Sequence, residues 1–159
     1  MNLLELISPR CIKVSLDGKT KNEVIAELVD LLVSVKKIPN RDAIYDALIE
    51  REEVGSTGIG RGVALPHAKC AEVKDIYVAC GISTQGIDFD ALDREPVYIF
   101  FLILAPRSAP GRHLKVMSIL TRLLSRTSAR EELVKAQTPD EVYAILSKYD
   151  ETQVSTGSS

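Results

Sequence analysis

The chain has 159 residues, 45% of them hydrophobic and 26% charged, with a net charge of -2. That length predicts one domain over residues 1–150 with a single core, and the balance of charge, without any basic stripe, excludes general nucleic-acid binding. No apolar run approaches the ~20 residues of a membrane span.

The first residues, Met1 to Ile7, lack the basic start and long apolar stretch of an export signal. Cys11, Cys70 and Cys80 are scattered and odd in number, and read as reduced thiols, buried or inert. The expected location is the cytoplasm, without direct membrane insertion.

Cys11 to Leu16 alternates apolar and polar residues and predicts a half-buried strand. Asp17-Gly18 is a turn signal. Thr20 and Glu23 form a capping box that opens a helix ending near Lys37. Asn40 is expected to cap a second helix, with Ile44, Ala47 and Leu48 on one face, that stops at Gly55. Val63-Ala64-Leu65 reads as a short strand ending at Pro66, and Ile76 to Ile82 as another. Pro96 to Leu104 is an unbroken apolar run whose length suits a strand covered on both faces. A loop from Ala105 to Gly111 leads into a helix from about Arg112 to Ser125, expected to be largely buried. Ser128 with Glu131, and Thr138 with Glu141, are capping boxes for two further helices. Residues 151–159 are small and polar and are expected to be disordered. Four strands, with helices before, between and after them, suggest a three-layer α/β/α domain.

The chemistry concentrates between Gly55 and His67. The Gly55–Gly62 stretch is neither a Walker loop nor a dinucleotide fingerprint: Arg61 and Gly62 stand where Lys and Ser or Thr are needed, and Val63 where a third glycine is. Two readings stay open for it, a plain glycine-rich turn or a set of backbone amides facing a small anion. In the second reading Ser56 and Thr57 add hydroxyl donors and Gly58 lends its amide. His67 follows Pro66 at the end of a short strand, and an imidazole is largely neutral and nucleophilic near neutral pH. His113, just after Gly111, is expected at a helix start, where the dipole favours phosphate. Each histidine taken alone also fits a plainer role, His67 in a core and His113 as a surface cap. They converge if the two chain segments lie side by side. His67 and Cys70 have ligand-like spacing, but zinc needs more protein ligands than this chain offers, so no metal site is expected.

Arg51-Glu52, Gly55-Ser56-Thr57-Gly58-Ile59-Gly60 and Gly62-Val63-Ala64-Leu65-Pro66-His67 together form a long, specific motif. A second block is Ile87 to Asp93 with Pro96-Val97, and a third is His113-Leu114. On these residues the sequence resembles the enzyme IIA family of the bacterial phosphoenolpyruvate-dependent phosphotransferase system. It is similar to the fructose/mannitol type, and within it to the nitrogen-related branch. The likeness covers about Leu4 to Tyr149; Ala68 stands where many members carry glycine. The resemblance implies an α/β/α sandwich with a mixed sheet of about four to five strands. It implies that His67 is the phosphoacceptor, forming a tele-phosphohistidine, and that Arg51 and His113 complete the site. It implies a donor, HPr or its nitrogen-branch counterpart, and no cofactor.

Two roles follow from that resemblance. The chain is expected to be a regulator that meets target proteins and is switched by phosphorylation, because neither a fused IIB nor a membrane IIC segment is present in it. Alternatively it passes the phosphoryl group to a separate IIB component for sugar uptake.

Overall fold

The apolar periodicities resolve into six helices and six strands over residues 2–150, the residues that this computed structural model describes. Helix α1 (Leu3–Leu6) and a 3-10 turn (Pro9–Cys11) precede strand β1 (Ile12–Val14). Helices α2 (Lys21–Lys36) and α3 (Arg41–Val54) follow, then strands β2 (Gly58–Gly60), β3 (Val63–Ala64), β4 (His67–Cys70), β5 (Tyr77–Ile87) and β6 (Val97–Pro106). Helices α4 (Pro110–Leu124), α5 (Thr127–Lys135) and α6 (Pro139–Tyr149) complete the fold. The expected disorder of 151–159 lies outside the described residues.

The long apolar run becomes β6, the spine of a mixed sheet ordered β1-β5-β6-β3-β2, with β4 also paired to β6. Strand β5 runs antiparallel to β6, whereas β3 and β4 run parallel to it on its other side. Strand β1 runs parallel to β5. Phe100, Phe101, Leu102 and Ile103 are fully buried, so successive side chains pack on opposite faces of the sheet. Fully burying such a side chain contributes about 1.5–3 kcal/mol, which is why an uninterrupted apolar run settles at the centre. Helices α2 and α3 form one outer layer, and α4, α5 and α6 the other. Helix α2 buries Val24, Ile25, Leu28, Val29 and Leu32, a stripe at helical spacing.

The three-layer architecture matches the expectation, but the sheet has six strands. The extra pairings come from the glycine stretch. Gly60, Arg61 and Gly62 all have positive φ, which folds β2 back on β3 as a tight hairpin. His67 does not end a strand; it begins β4, which runs beside β6 through to Cys70. Strand β1 is shorter than expected, because Cys11 lies in the 3-10 turn and Ser15 takes positive φ. Strand β5 continues five residues past Ile82, through a register shift, to Ile87.

Thr20 and Thr138 do cap their helices, accepting from Glu23 N at 3.2 Å and Glu141 N at 3.1 Å. The Glu23 carboxylate reaches back to the Lys19 amide at 2.9 Å. Asn40 and Ser128 do not act as expected. Asn40 stands at the N-cap of α3 in the left-handed region, and its side chain makes no cap bond. Helix α5 starts at Thr127, with Arg126 at the N-cap position, so Ser128 lies inside the helix. The expected burial of α4 fails at Leu114, which is 68% exposed.

Candidate active site

Register places His67. Strand β4 sets it beside Ile103 on β6. The preceding Pro66 has no amide hydrogen for the ladder, but its carbonyl accepts from Ile103 N at 2.9 Å, so the strand keeps its register across the proline. Just before it, the Leu65 carbonyl lies 2.8 Å from His67 Nδ1. A carbonyl only accepts, so Nδ1 carries the hydrogen and Nε2 keeps the lone pair. Burial lowers the His67 pKa from its ordinary 6.5, against the Leu65 hydrogen bond, and the Arg51 charge lowers it further.

His113 comes from the first turn of α4, which starts at Pro110, two residues earlier than expected. The His67 and His113 rings lie 5.2 Å apart between centroids and tilt by 49°, so the two histidines converge. His113 is buried, and its Nδ1 has no hydrogen-bond partner among the described residues. Burial holds its pKa low, and the nearby His67 and Lys69 lower it further. Two neutral imidazoles therefore face one another.

Arg51 sits in the last turn of α3 and donates from Nη1 to the Gly55 carbonyl at 2.9 Å. This bond folds the guanidinium back over the start of the glycine loop, where its charge reaches His67.

The loop donors differ from the expectation that they are free to meet an anion. The Ser56 hydroxyl donates to the Phe89 carbonyl at 2.6 Å and accepts from Gly58 N at 3.0 Å. Thr57 is buried, and both its amide and its hydroxyl donate to the Glu52 carboxylate. The physical reason is burial: Thr57 and Gly58 are buried, and buried polar groups must find partners within the protein.

Glu52 itself escaped the sequence reading as a site residue. It is 7% exposed and pairs with Lys21 Nζ at 2.8 Å. Its place beside Arg51 in the motif was the available signal; Lys21, from the start of α2, offered none.

Cys11, Cys70 and Cys80 are free and buried. Burial raises the Cys70 thiol to about 11 and pushes Cys80 up as well, so both stay protonated and inert. Among the described residues no three His, Cys, Asp or Glu side chains gather as a metal site. Among them, too, no helix is long and apolar enough to cross a membrane.

Comparison with known proteins bears on this geometry. The chain is 40% identical over 129 residues to the "PTS system fructose-specific EIIA component" of Haloferax volcanii, covering 81% of this chain and 84% of that one. It is 37% identical over 150 residues to the "PTS system fructose-specific EIIABC component" of Bacillus subtilis, covering 94% of this chain but only 24% of that longer protein. The crystal structure of the nitrogen regulatory protein IIA-Ntr from Neisseria meningitidis superposes with a TM-score of 0.83 at 34% identity, covering 89% of this chain and 97% of that one. Residues 5–149 match the profile described as "Phosphoenolpyruvate-dependent sugar phosphotransferase system, EIIA 2". The chain therefore belongs to this EIIA family, whose members act as phosphotransfer intermediates.

Proposed function

We propose that this protein is a cytoplasmic phosphocarrier in which Nε2 of His67 takes a phosphoryl group from the phosphohistidine of HPr or its nitrogen-branch counterpart. The observation that carries this reading is the 2.8 Å contact from His67 Nδ1 to the Leu65 carbonyl. It leaves Nε2 as the nucleophile and so favours the tele isomer. In the transfer, the Nε2 lone pair forms the new N–P bond as the donor's N–P bond breaks, and that electron pair returns to the donor ring. Nδ1 keeps its hydrogen, and the Leu65 carbonyl stabilises the positive charge that develops on the His67 ring.

Phosphoryl transfer of this kind depends on positioning and on charge around the transferring oxygens. Arg51 supplies a planar, permanently charged fork suited to those oxygens. His113 adds a second ring beside His67. In this proposal Ser56, Thr57 and Gly58 shape the loop rather than contact the phosphate, because their donors are already engaged by other protein groups. No nucleotide or metal takes part, and residues 1–150 act as one EIIA unit.

Two destinations for the phosphoryl group follow from the relatives. Similarity to IIA-Ntr supports a regulator that meets target proteins, switched by phosphorylation. Similarity to the fructose-specific EIIA component supports transfer to a separate IIB component. Reconstitution with phosphoenolpyruvate, enzyme I and purified HPr-type carriers tests the shared step. Mass spectrometry at neutral pH is expected to find phosphate on His67 alone, and equal labelling of His67→Ala would overturn the proposal. Adding fructose-type IIB then separates the destinations: rapid loss of label from His67 to IIB favours the sugar route, and retention favours regulation.

A further inference from the structure

A largely buried ion pair joins the start of α2 to the end of α3 beside the glycine loop, and phosphoryl transfer makes no direct use of it. Lys21 Nζ, at the start of α2, meets Glu52 Oε2 at 2.8 Å, and both side chains are largely withdrawn from solvent. Taking two charges out of water is costly, and an apolar pair of similar size fills space as well. The position of this pair is informative because of what the carboxylate holds.

We infer that Glu52, secured by Lys21, is a positioning residue that sets the tautomer of His67 through Thr57 and Leu65. The path is continuous. Glu52 accepts the Thr57 amide at 3.2 Å and also the Thr57 hydroxyl, which ties that residue down by both its backbone and its side chain. The residues flanking Thr57 are tied to each other, since Gly58 N donates to Ser56 Oγ at 3.0 Å. With its ends held, Thr57 presents its carbonyl to Leu65 N at 3.0 Å. Leu65 is buried and turns its own carbonyl to His67 Nδ1 at 2.8 Å. One residue, Leu65, thus receives the constraint through its N–H and delivers it through its C=O.

The next peptide nitrogen belongs to Pro66, which has no hydrogen, so that peptide plane meets the imidazole only through its carbonyl. If Thr57 shifts, the Leu65 carbonyl shifts with it, and Nδ1 loses the acceptor that keeps its hydrogen in place. Both tautomers then become populated, and Nε2 is the nucleophile in only part of the molecules. Lys21 fixes the carboxylate in place at the site where Thr57 needs an acceptor. Its ammonium also lies 4.8 Å over the Phe89 ring, and Phe89 supplies the carbonyl that takes the Ser56 hydroxyl. Helix α2 is thereby coupled to the reactive histidine without touching it.

The consequence for transfer rests on the phosphocarrier reading, but the tautomer itself does not. The test therefore uses two measurements on the full chain. Nitrogen-15 NMR of the unphosphorylated protein reads the His67 tautomer, and reconstitution with phosphoenolpyruvate, enzyme I and HPr reads the rate and the ratio of tele to pros phosphohistidine. Thr57→Val removes the hydroxyl and keeps the ion pair; Lys21→Met removes the charge that secures Glu52. Both variants are expected to mix the two tautomers, admit some pros isomer and slow phosphorylation about tenfold, the scale of one displaced hydrogen bond. Thr57→Ser, which keeps the hydroxyl, is expected to restore the wild-type tautomer and rate. A cooperatively melting Thr57→Val protein with a pure Nδ1–H tautomer and the wild-type rate would overturn the inference. So would a Thr57→Ser protein as mixed as Thr57→Val. Should wild-type His67 take no phosphate, the phosphocarrier reading falls, while the NMR comparison still decides the role of Glu52.

Discussion

Arg51 serves two neighbours at once. Its bond to the Gly55 carbonyl closes the end of α3, and its charge acts on His67. These roles separate by magnitude. A charge-assisted contact to transferring phosphoryl oxygens is worth about 1.5–3 kcal/mol, so Arg51→Ala is expected to slow His67 phosphorylation roughly ten- to a hundredfold. Loss of the exposed Gly55 bond, which water replaces, is expected to cost about 1 kcal/mol or less of stability. Arg51→Lys keeps the charge without the fork, and its rate is expected to fall between the two. Quench-flow labelling and thermal melts on the same samples check this; a wild-type rate with a large fall in melting temperature would leave Arg51 as a structural cap only. The two histidines carry a second expectation. Burial lowers both pKa values below the ordinary 6.5, so the folded chain binds fewer protons than the unfolded chain in weak acid. Their contribution to stability is fully present above about pH 6.5 and is lost as pH falls through the lowered folded values. Each histidine adds a slope of at most ~1.4 kcal/mol per pH unit. Urea midpoints are expected to decline below about pH 6.5, and His113→Asn to shallow the decline. Unchanged midpoints down to about pH 5 would contradict the burial effect.

Among the elements, β5 departs furthest from its expected bounds, and the cause is local. Thr84 and Gln85 are exposed, which breaks the apolar pattern after Ile82, yet pairing resumes where Ile87 faces Val97. Gly86 makes this passage practicable. It has φ +78°, and a Cβ there would lie 2.9 Å from the Tyr98 ring and 3.0 Å from Pro96 Cβ. Strain and overlap act together, so Gly86→Ala is expected to cost about 1–3 kcal/mol. Chemical denaturation measures it, and a loss below about 0.5 kcal/mol would show that Tyr98 yields freely. The helix starts teach a related lesson. The box at Thr138 was legible because Pro139 enforces the first helical turn beside it. Ser128 had the same spacing to Glu131, but the chain leaving α4 enters the helix two residues earlier, and Arg130 instead donates to the Leu124 carbonyl at 2.8 Å. Spacing alone does not tell which of several nearby residues caps a helix; the preceding packing does.

For the molecule as a whole, β6 is the element on which the sheet depends, because β5, β3 and β4 all pair with it. Leu102 lies at its centre, fully buried. Leu102→Ala is expected to cost about 2–5 kcal/mol through lost burial and the cavity left behind. Below the melting transition the folded fraction is expected to accept phosphate at the normal rate, because Leu102 touches no site residue by hydrogen bond; urea titration and labelling check the two statements. A normal midpoint would mean that the core collapses around the gap. The sequence by itself determined the layered α/β class, the central strand and the residues of the chemical motif, since apolar periodicity, turn residues and a contiguous motif are local properties of the chain. Only the tertiary structure decided that His113 meets His67, that the loop donors of Ser56, Thr57 and Gly58 turn inward, and that Glu52 and Lys21 stand beneath them. The meeting of the histidines depends on register against β6, and the Ser56–Phe89 and Lys21–Glu52 contacts join groups far apart in sequence, so no local window of residues encodes them; Thr57 and Gly58 turn to near neighbours, but only their burial makes them do so.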